Sequence, residues 1–265
     1  MNRWRQIGGA VLVSCLGHVT PSSAGGFAAL VSPPRFELHG HGGTTLRQVF
    51  ELTNRAALPA KYRVHTADFT LGADFSVAFQ DALQPGSCRP WVAIERPEVE
   101  LPGGASIRYR FEVQVPKDAP AGECRFGILV EADEPALTRS GPFELPIVGR
   151  IGIIVYLIVG EGKPALEVLG PEVVTLNQQR IPALRVHNSG TAHARMSGFL
   201  TGTDARGARY DFNPSDLPVL PGEARDVFLT PSTADNEHPV LAFPVTVRGT
   251  LEWANEKTEL DERFE

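Results

Sequence analysis

Apolar side chains along this chain recur at every second position far more often than at helical spacing. The clearest run is "IRYRFEVQV", in which Ile107, Tyr109, Phe111, Val113 and Val115 point one way and Arg108, Arg110, Glu112 and Gln114 the other. A period of two puts alternate side chains on opposite faces of an extended chain, so this run predicts a strand with one dry face. The same alternation carries Leu46, Phe50 and Leu52 up to Asn54, then Tyr62, Val64 and Thr66, and, after the turn "PKDAPAGE", Cys124, Phe126, Ile128 and Val130. "GEGKP", residues 160–164, interrupts the series. It resumes with Leu166 and Val168 and continues through "IPALRVHNSG", "RDVFL" and "FPVTVRGTLEW".

The expectation is therefore all-β, with two immunoglobulin-like β-sandwich domains in tandem: residues 25–159, a linker at 160–164, and residues 165–265. One stretch does not fit simple alternation. "GPFELPIVGRIGIIVY", residues 141–156, starts with Phe143, Leu145 and Ile147 on one side and Glu144, Pro146 and Val148 on the other. It then carries Arg150 and becomes almost wholly apolar from Ile151 to Tyr156. A strand wet on one side needs only alternation, so the second half asks for a different environment from the first.

Composition narrows the class. With 42% hydrophobic and 21% charged residues in 265, the chain has the balance of a folded protein, and its 26 Gly and 22 Pro suit many short strands joined by turns. The first 24 residues read as an export signal: Arg3 and Arg5, an apolar stretch from Ile7 to Val19, and the small-residue site "SSA" ending at Ala24. "LVSC", ending at Cys15, also resembles a lipoprotein processing site, which leaves lipid anchoring as the alternative to ordinary cleavage. Cleavage after Ala24 takes the formal charge from −6 to −8, which argues against nucleic acid as a partner. No run reaches membrane-spanning length. Two cysteines then remain, Cys88 and Cys124, and in an exported chain such a pair reads as a disulfide rather than a metal or redox site.

The chain carries none of the GxSxG, Walker-loop, HExxH or GxGxxG signatures. "HGHGG" sets His39 and His41 two apart, as on one strand face, but the glycines favour a turn, and no metal or cofactor is expected. Asp68, Asp74 and Asp81 read as solvated or capping groups, and Trp91 as packing. With no nucleophile, base and oxyanion hole assembled, the reading is non-catalytic.

Several stretches, in this order, resemble the periplasmic fimbrial chaperones of the chaperone-usher pathway: "RFELHG", "CRPWVAIERPEVELPGG" before "IRYRFEV", "GECRFGILVE", "FELPIVGRIGIIVY", and "LRVHNSGTAHARMSGF" with "LPVLPGEARDVFL". The resemblance implies a periplasmic, non-enzymatic protein whose partners are pilus subunits and an outer-membrane usher. It implies that Phe143, Leu145 and Ile147 are donated to a subunit that lacks a strand, as β-augmentation. It implies a continuation, Ile151 to Val159, buried where the two domains meet. Two basic residues would grip the subunit's C-terminal carboxylate. Arg35 matches the first, while Gly152 stands where a lysine is expected and Arg150, two residues earlier on the same face, takes its place. The alternative is a structural or cell-surface binding protein built on the same scaffold.

Overall fold

The computed structural model describes residues 27–265 apart from 74–75, 141–142, 177 and 236–238. The export signal and Cys15 lie outside the described residues, as does Asp74. The first half contains β1 (Ala29–Ser32), β2 (Arg35–Gly40), β3 (Thr45–Asn54), β4 (Ala60–Leu71), β5 (Val77–Gln80), β6 (Val92–Ile94), β7 (Glu98–Leu101), β8 (Ser106–Gln114), β9 (Gly122–Ala132), β10 (Ala136–Ser140), β11 (Phe143–Ile147) and β12 (Arg150–Val159). The second contains β13 (Leu166–Leu176), β14 (Gln179–Asn188), β15 (Ser197–Thr203), β16 (Arg209–Pro214), β17 (Ala224–Ser232), β18 (Val245–Trp253) and β19 (Glu256–Phe264).

Two sheets make the first sandwich. One runs β1-β3-β8-β6 and the other β2-β12-β9-β4-β5, with β7 also on β4. Alternation in β8 is honoured: Tyr109, Phe111 and Val113 are buried and Arg108 and Arg110 exposed. They meet Phe36, Phe126, Ile128 and Ile153 from the facing sheet in one apolar core. Cys88 and Cys124 are joined, Cα to Cα 6.1 Å, which ties the short 3-10 turn at Arg89–Trp91 to β9. Of the two readings for Asp68, solvated or capping, the structure gives the second. Asp68 is buried, accepts from Gln84 N at 3.0 Å and Ser87 Oγ at 2.6 Å, and pairs with Arg89 at 3.3 Å, so it anchors the loop that carries Cys88.

The second sandwich is one continuous path, β13-β14-β17-β16-β15-β18-β19. β17 makes the corner: Ala224–Phe228 pair with β14, and Leu229–Ser232 with β16. Leu184, Val186, Phe212, Val227, Leu229 and Leu251 fill its own core.

The two halves share a local device that no sequence repeat reveals. Asn54 ends β3 and Asn188 ends β14, and both are fully buried. Each accepts at Oδ1 from the N–H two residues on, Ala56 at 3.0 Å and Gly190 at 2.9 Å. Each donates from Nδ2 to the carbonyl four residues on, Leu58 and Ala192, and to a distant carbonyl, Leu101 or Val219. Their carbonyls accept from Gly104 N at 2.9 Å and Gly222 N at 2.8 Å, two glycines at φ 73 and 75 that a side chain would strain. One polar side chain thus satisfies the backbone of a strand end and a neighbouring turn, twice over.

Candidate functional site

β9 and β12 pair in register from Val159↔Gly122 to Arg150↔Glu131, and Ala132 N donates to Gly149 O at 3.0 Å. β10 and β11 then pair from Ala136↔Ile147 to Ser140↔Phe143, as a two-stranded sheet of their own. Between the ladders, Asp133 to Pro135 face only Val148, a bulge that breaks the sheet. The consequence is exposure. Phe143 is 68% exposed, Leu145 and Ile147 49% each and Val148 51%. Among the described residues β11 pairs with β10 alone, so its other edge is open. A cavity of about 450 Å³ beside it is lined by Ile147, Gly149, Phe27, Leu58, Tyr62 and Pro135.

The continuation has two dry faces with different owners. Odd positions of β12, Ile153, Val155, Leu157 and Val159, enter the core of the first sandwich. On the other face Ile154 and Tyr156 pack with Phe69, Leu71 and Phe79 and with Leu220 of the second half. Of the run expected to be buried at a junction, the even face meets Leu220 of the second half, while the odd face belongs to the first sandwich's own core.

Arg35 heads β2 opposite Ile154 and shares the outer face of the sheet with Glu37. It pairs with Glu37 at 3.3 Å and with Asp216 of the second half, also at 3.3 Å. Arg195 enters the same group from the other sandwich. Its Nη1 donates to Glu37 Oε1 at 2.5 Å and to His193 Nε2 at 2.8 Å, and its guanidinium lies 5.2 Å from the centre of the Tyr156 ring. Arg195 Nε is buried and 3.4 Å from Asp216, near enough to pair but without hydrogen-bond alignment. Behind them Glu123, fully buried, accepts from His193 N at 2.6 Å and from the ring at 2.5 Å. Burial opposes the Glu123 charge, but the hydrogen bonds from the His193 ring and backbone N–H, helped by Arg125, outweigh it and hold the carboxyl below its ordinary range. A cleft of about 610 Å³ opens here, lined by Arg35, Glu37, His39, Lys163, His193 and Arg195.

Arg150 is not brought to Arg35. Arg35 is level with Ile154, four residues along β12 from Arg150, which is roughly 13 Å at the rise of a strand. Arg150 instead stands 5.7 Å over the Phe79 ring and 3.9 Å from Glu131. The missing lysine also has a physical cause: a Cβ at Gly152 would lie 2.3 Å from the Phe79 ring, which occupies that space. The histidines divide, His39 lying on β2 at the cleft and His41 in the turn that follows. Among the described residues there is no group of three metal-ligating side chains and no helix long and apolar enough to cross a membrane.

Sequence reasoning passed over Glu37, Glu123, Tyr156, His193, Arg195 and Asp216. The nearest signal was "TAHARM", where a histidine and an arginine share one side of an otherwise small-residue run. Their partners lie 70 and 158 residues away, beyond any local pattern.

No family model and no curated protein matches the chain. Solved structures do. The chain is similar to the E. coli chaperone DraB at 14% identity, over 89% of this chain and 97% of that one, with a TM-score of 0.46. It is similar to a chaperone–tip adhesion subunit pre-assembly complex, CsuC-CsuE of Acinetobacter baumannii, at 14% identity, over 90% and 99%, with a TM-score of 0.45. A third likeness is to the Salmonella enterica SafA pilin in complex with the SafB chaperone, at 15% identity, over 89% and 96%, with a TM-score of 0.43.

Proposed function

We propose that this protein is an exported chaperone of pilus assembly that holds an incomplete subunit by lending it β11. The observation that carries the reading is the exposed row Phe143, Leu145 and Ile147 on a strand whose outer edge has no partner among the described residues. A long apolar edge left bare invites pairing with another chain, and β-augmentation turns that hazard into recognition: ladder bonds supply affinity and alternate side chains supply register. Burying each of the three side chains stabilises the complex by about 1.5–3 kcal/mol, before the cost of association. Pro146 in the middle removes one ladder donor and belongs on such an edge strand.

The domain division at 25–159 and 165–265, export to the periplasm and transfer to an usher are parts of the same proposal. In it Arg35 anchors the subunit's terminal carboxylate. Arg195 is better placed than Arg150 to serve as the second cation, because it already shares Glu37 and Asp216 with Arg35. Charge-assisted bonds from arginine to a carboxylate are among the stronger single contacts available.

Periplasmic co-expression with a pilus subunit encoded beside this chain tests the reading. The expected result is a soluble one-to-one complex that Phe143→Asp or Ile147→Asp abolishes while the free protein keeps its thermal midpoint. A complex indifferent to both substitutions, or none with any neighbouring subunit, points to a binding protein that uses the scaffold otherwise, anchored at Cys15 if the mature N-terminus carries lipid.

A further inference from the structure

The group around His193 contains a bond pattern that fixes the protonation of the ring. Arginine has only donors, so the 2.8 Å contact from Arg195 Nη1 requires a lone pair on His193 Nε2. A charged carboxylate has only acceptors, so the contact with Glu123 Oε2 requires the proton on Nδ1. The two contacts together are those of a ring protonated on Nδ1 alone. It is 5% exposed and tilted against Tyr156, 4.2 Å between ring centres, so it has little freedom to turn.

The charged groups that face it are few. β9 supplies Glu123 and, beyond it, Arg125. β2 supplies Glu37, whose Oε1 is 3.7 Å from Nε2, and beyond it Arg35. Its own segment supplies Arg195, the segment before β17 supplies Asp216 next to Arg195, and β12 supplies the Tyr156 phenol. Glu37 is thus the shared acceptor: Arg195 holds it at 2.5 Å and the imidazole waits 3.7 Å away.

We propose that His193 is a proton-operated latch on Arg195. Neutral, it helps to seat the guanidinium between the two sandwiches. When Nε2 takes a proton, its lone pair is gone and a like charge faces Nη1. The new Nε2–H, with the ring in place, pairs with Glu37 Oε1 3.7 Å away, and Arg195 is released toward the cleft it lines with Arg35. Protonation of the ring thus adds a released cation to the cleft, and imidazole is the side chain type that ordinarily gains its charge between about pH 5 and 8. The inference does not rest on subunit capture, since its readouts belong to the free protein.

The test is NMR of the mature chain between about pH 8 and 5.5, the range in which imidazole gains its charge. At the upper limit, long-range nitrogen–proton spectra of His193 should show the Nδ1–H form; the Nε2–H form, or a charged ring throughout, overturns the proposal. Protection of the Arg195 Nε–H against solvent exchange, taken relative to the exposed Arg108, should fall about tenfold on acidification, as expected for losing one charge-assisted bond. In His193→Gln, which cannot titrate, that protection should stay flat. Should that variant not fold, Glu37→Gln keeps an acceptor oxygen but removes the negative charge that the protonated ring pairs with, and should blunt the fall. Wild-type pH dependence retained in the variant that folds overturns the latch.

Discussion

Single polar side chains do much of the organising here, and Asp204 and Asn188 are buried with several hydrogen bonds each. Asp204 accepts from the N–H groups of Arg206, Ala208 and Ala242 and from the Arg206 guanidinium. Burial opposes its charge, but the Ala242, Ala208 and Arg206 donors outweigh it and lower the carboxyl from 3.8 to about 2. A depressed carboxylate contributes stability that is present above the unfolded value and lost as pH falls through the folded one. The stabilising share of Asp204 is therefore complete above 3.8 and disappears toward about 2. Acid unfolding of Asp204→Asn, followed by circular dichroism, should lack that part of the pH dependence. Asn188→Ala strips partners from the carbonyls of Ala192 and Val219 and from the N–H groups of Ala165 and Gly190. Leaving buried groups unpaired costs about 1–3 kcal/mol each, so urea unfolding should show a loss of at least ~2 kcal/mol. None of this was legible in the sequence, where an asparagine before Ser-Gly reads only as a turn.

β8 and β12 show why some strands were easier to read than others. β8 has one wet face, and its alternation named Tyr109, Phe111 and Val113 as core before any coordinates. β12 has none, so its run of apolar residues announced burial without saying whose core received which face. The bulge at Val148 was equally hidden, because the alternation of Phe143, Leu145 and Ile147 continues in phase into Ile151 and Ile153. Position 152 is where this strand departs most sharply from the resemblance, and Phe79 is the reason. Installing the expected lysine as Gly152→Lys should destabilise by about 1–3 kcal/mol through overpacking. Phe79→Ala should relieve most of that penalty in the double mutant, a coupling that a thermodynamic cycle reads directly. Additive effects would show that the ring does not hold the site closed.

Across the whole molecule, two β-sandwiches were foreseen from patterning and turn residues, because each strand's period is a local property. Their junction was not. It depends on Arg225 reaching the carbonyl of Gly72 at 3.1 Å, on Leu220 against Tyr156, and on Arg195 between Glu37 and Asp216. These contacts join distant segments and leave no periodic trace. The exposed hairpin is the opposite case: Phe143, Leu145 and Ile147 stand out as a row in the sequence, and the fold leaves each of them exposed. In the proposed function the two sandwiches present this row, and the cleft that holds Arg35 and Arg195 lies in the same molecule to receive the end of the guest chain.

Hydrogen exchange at residues 143–147, with and without a co-expressed neighbouring pilus subunit, tests the central claim most directly. The account predicts fast exchange in the free protein and strong protection in the complex, confined to β11 and the residues flanking it. A complex in which β11 exchanges as fast as in the free chain would contradict it.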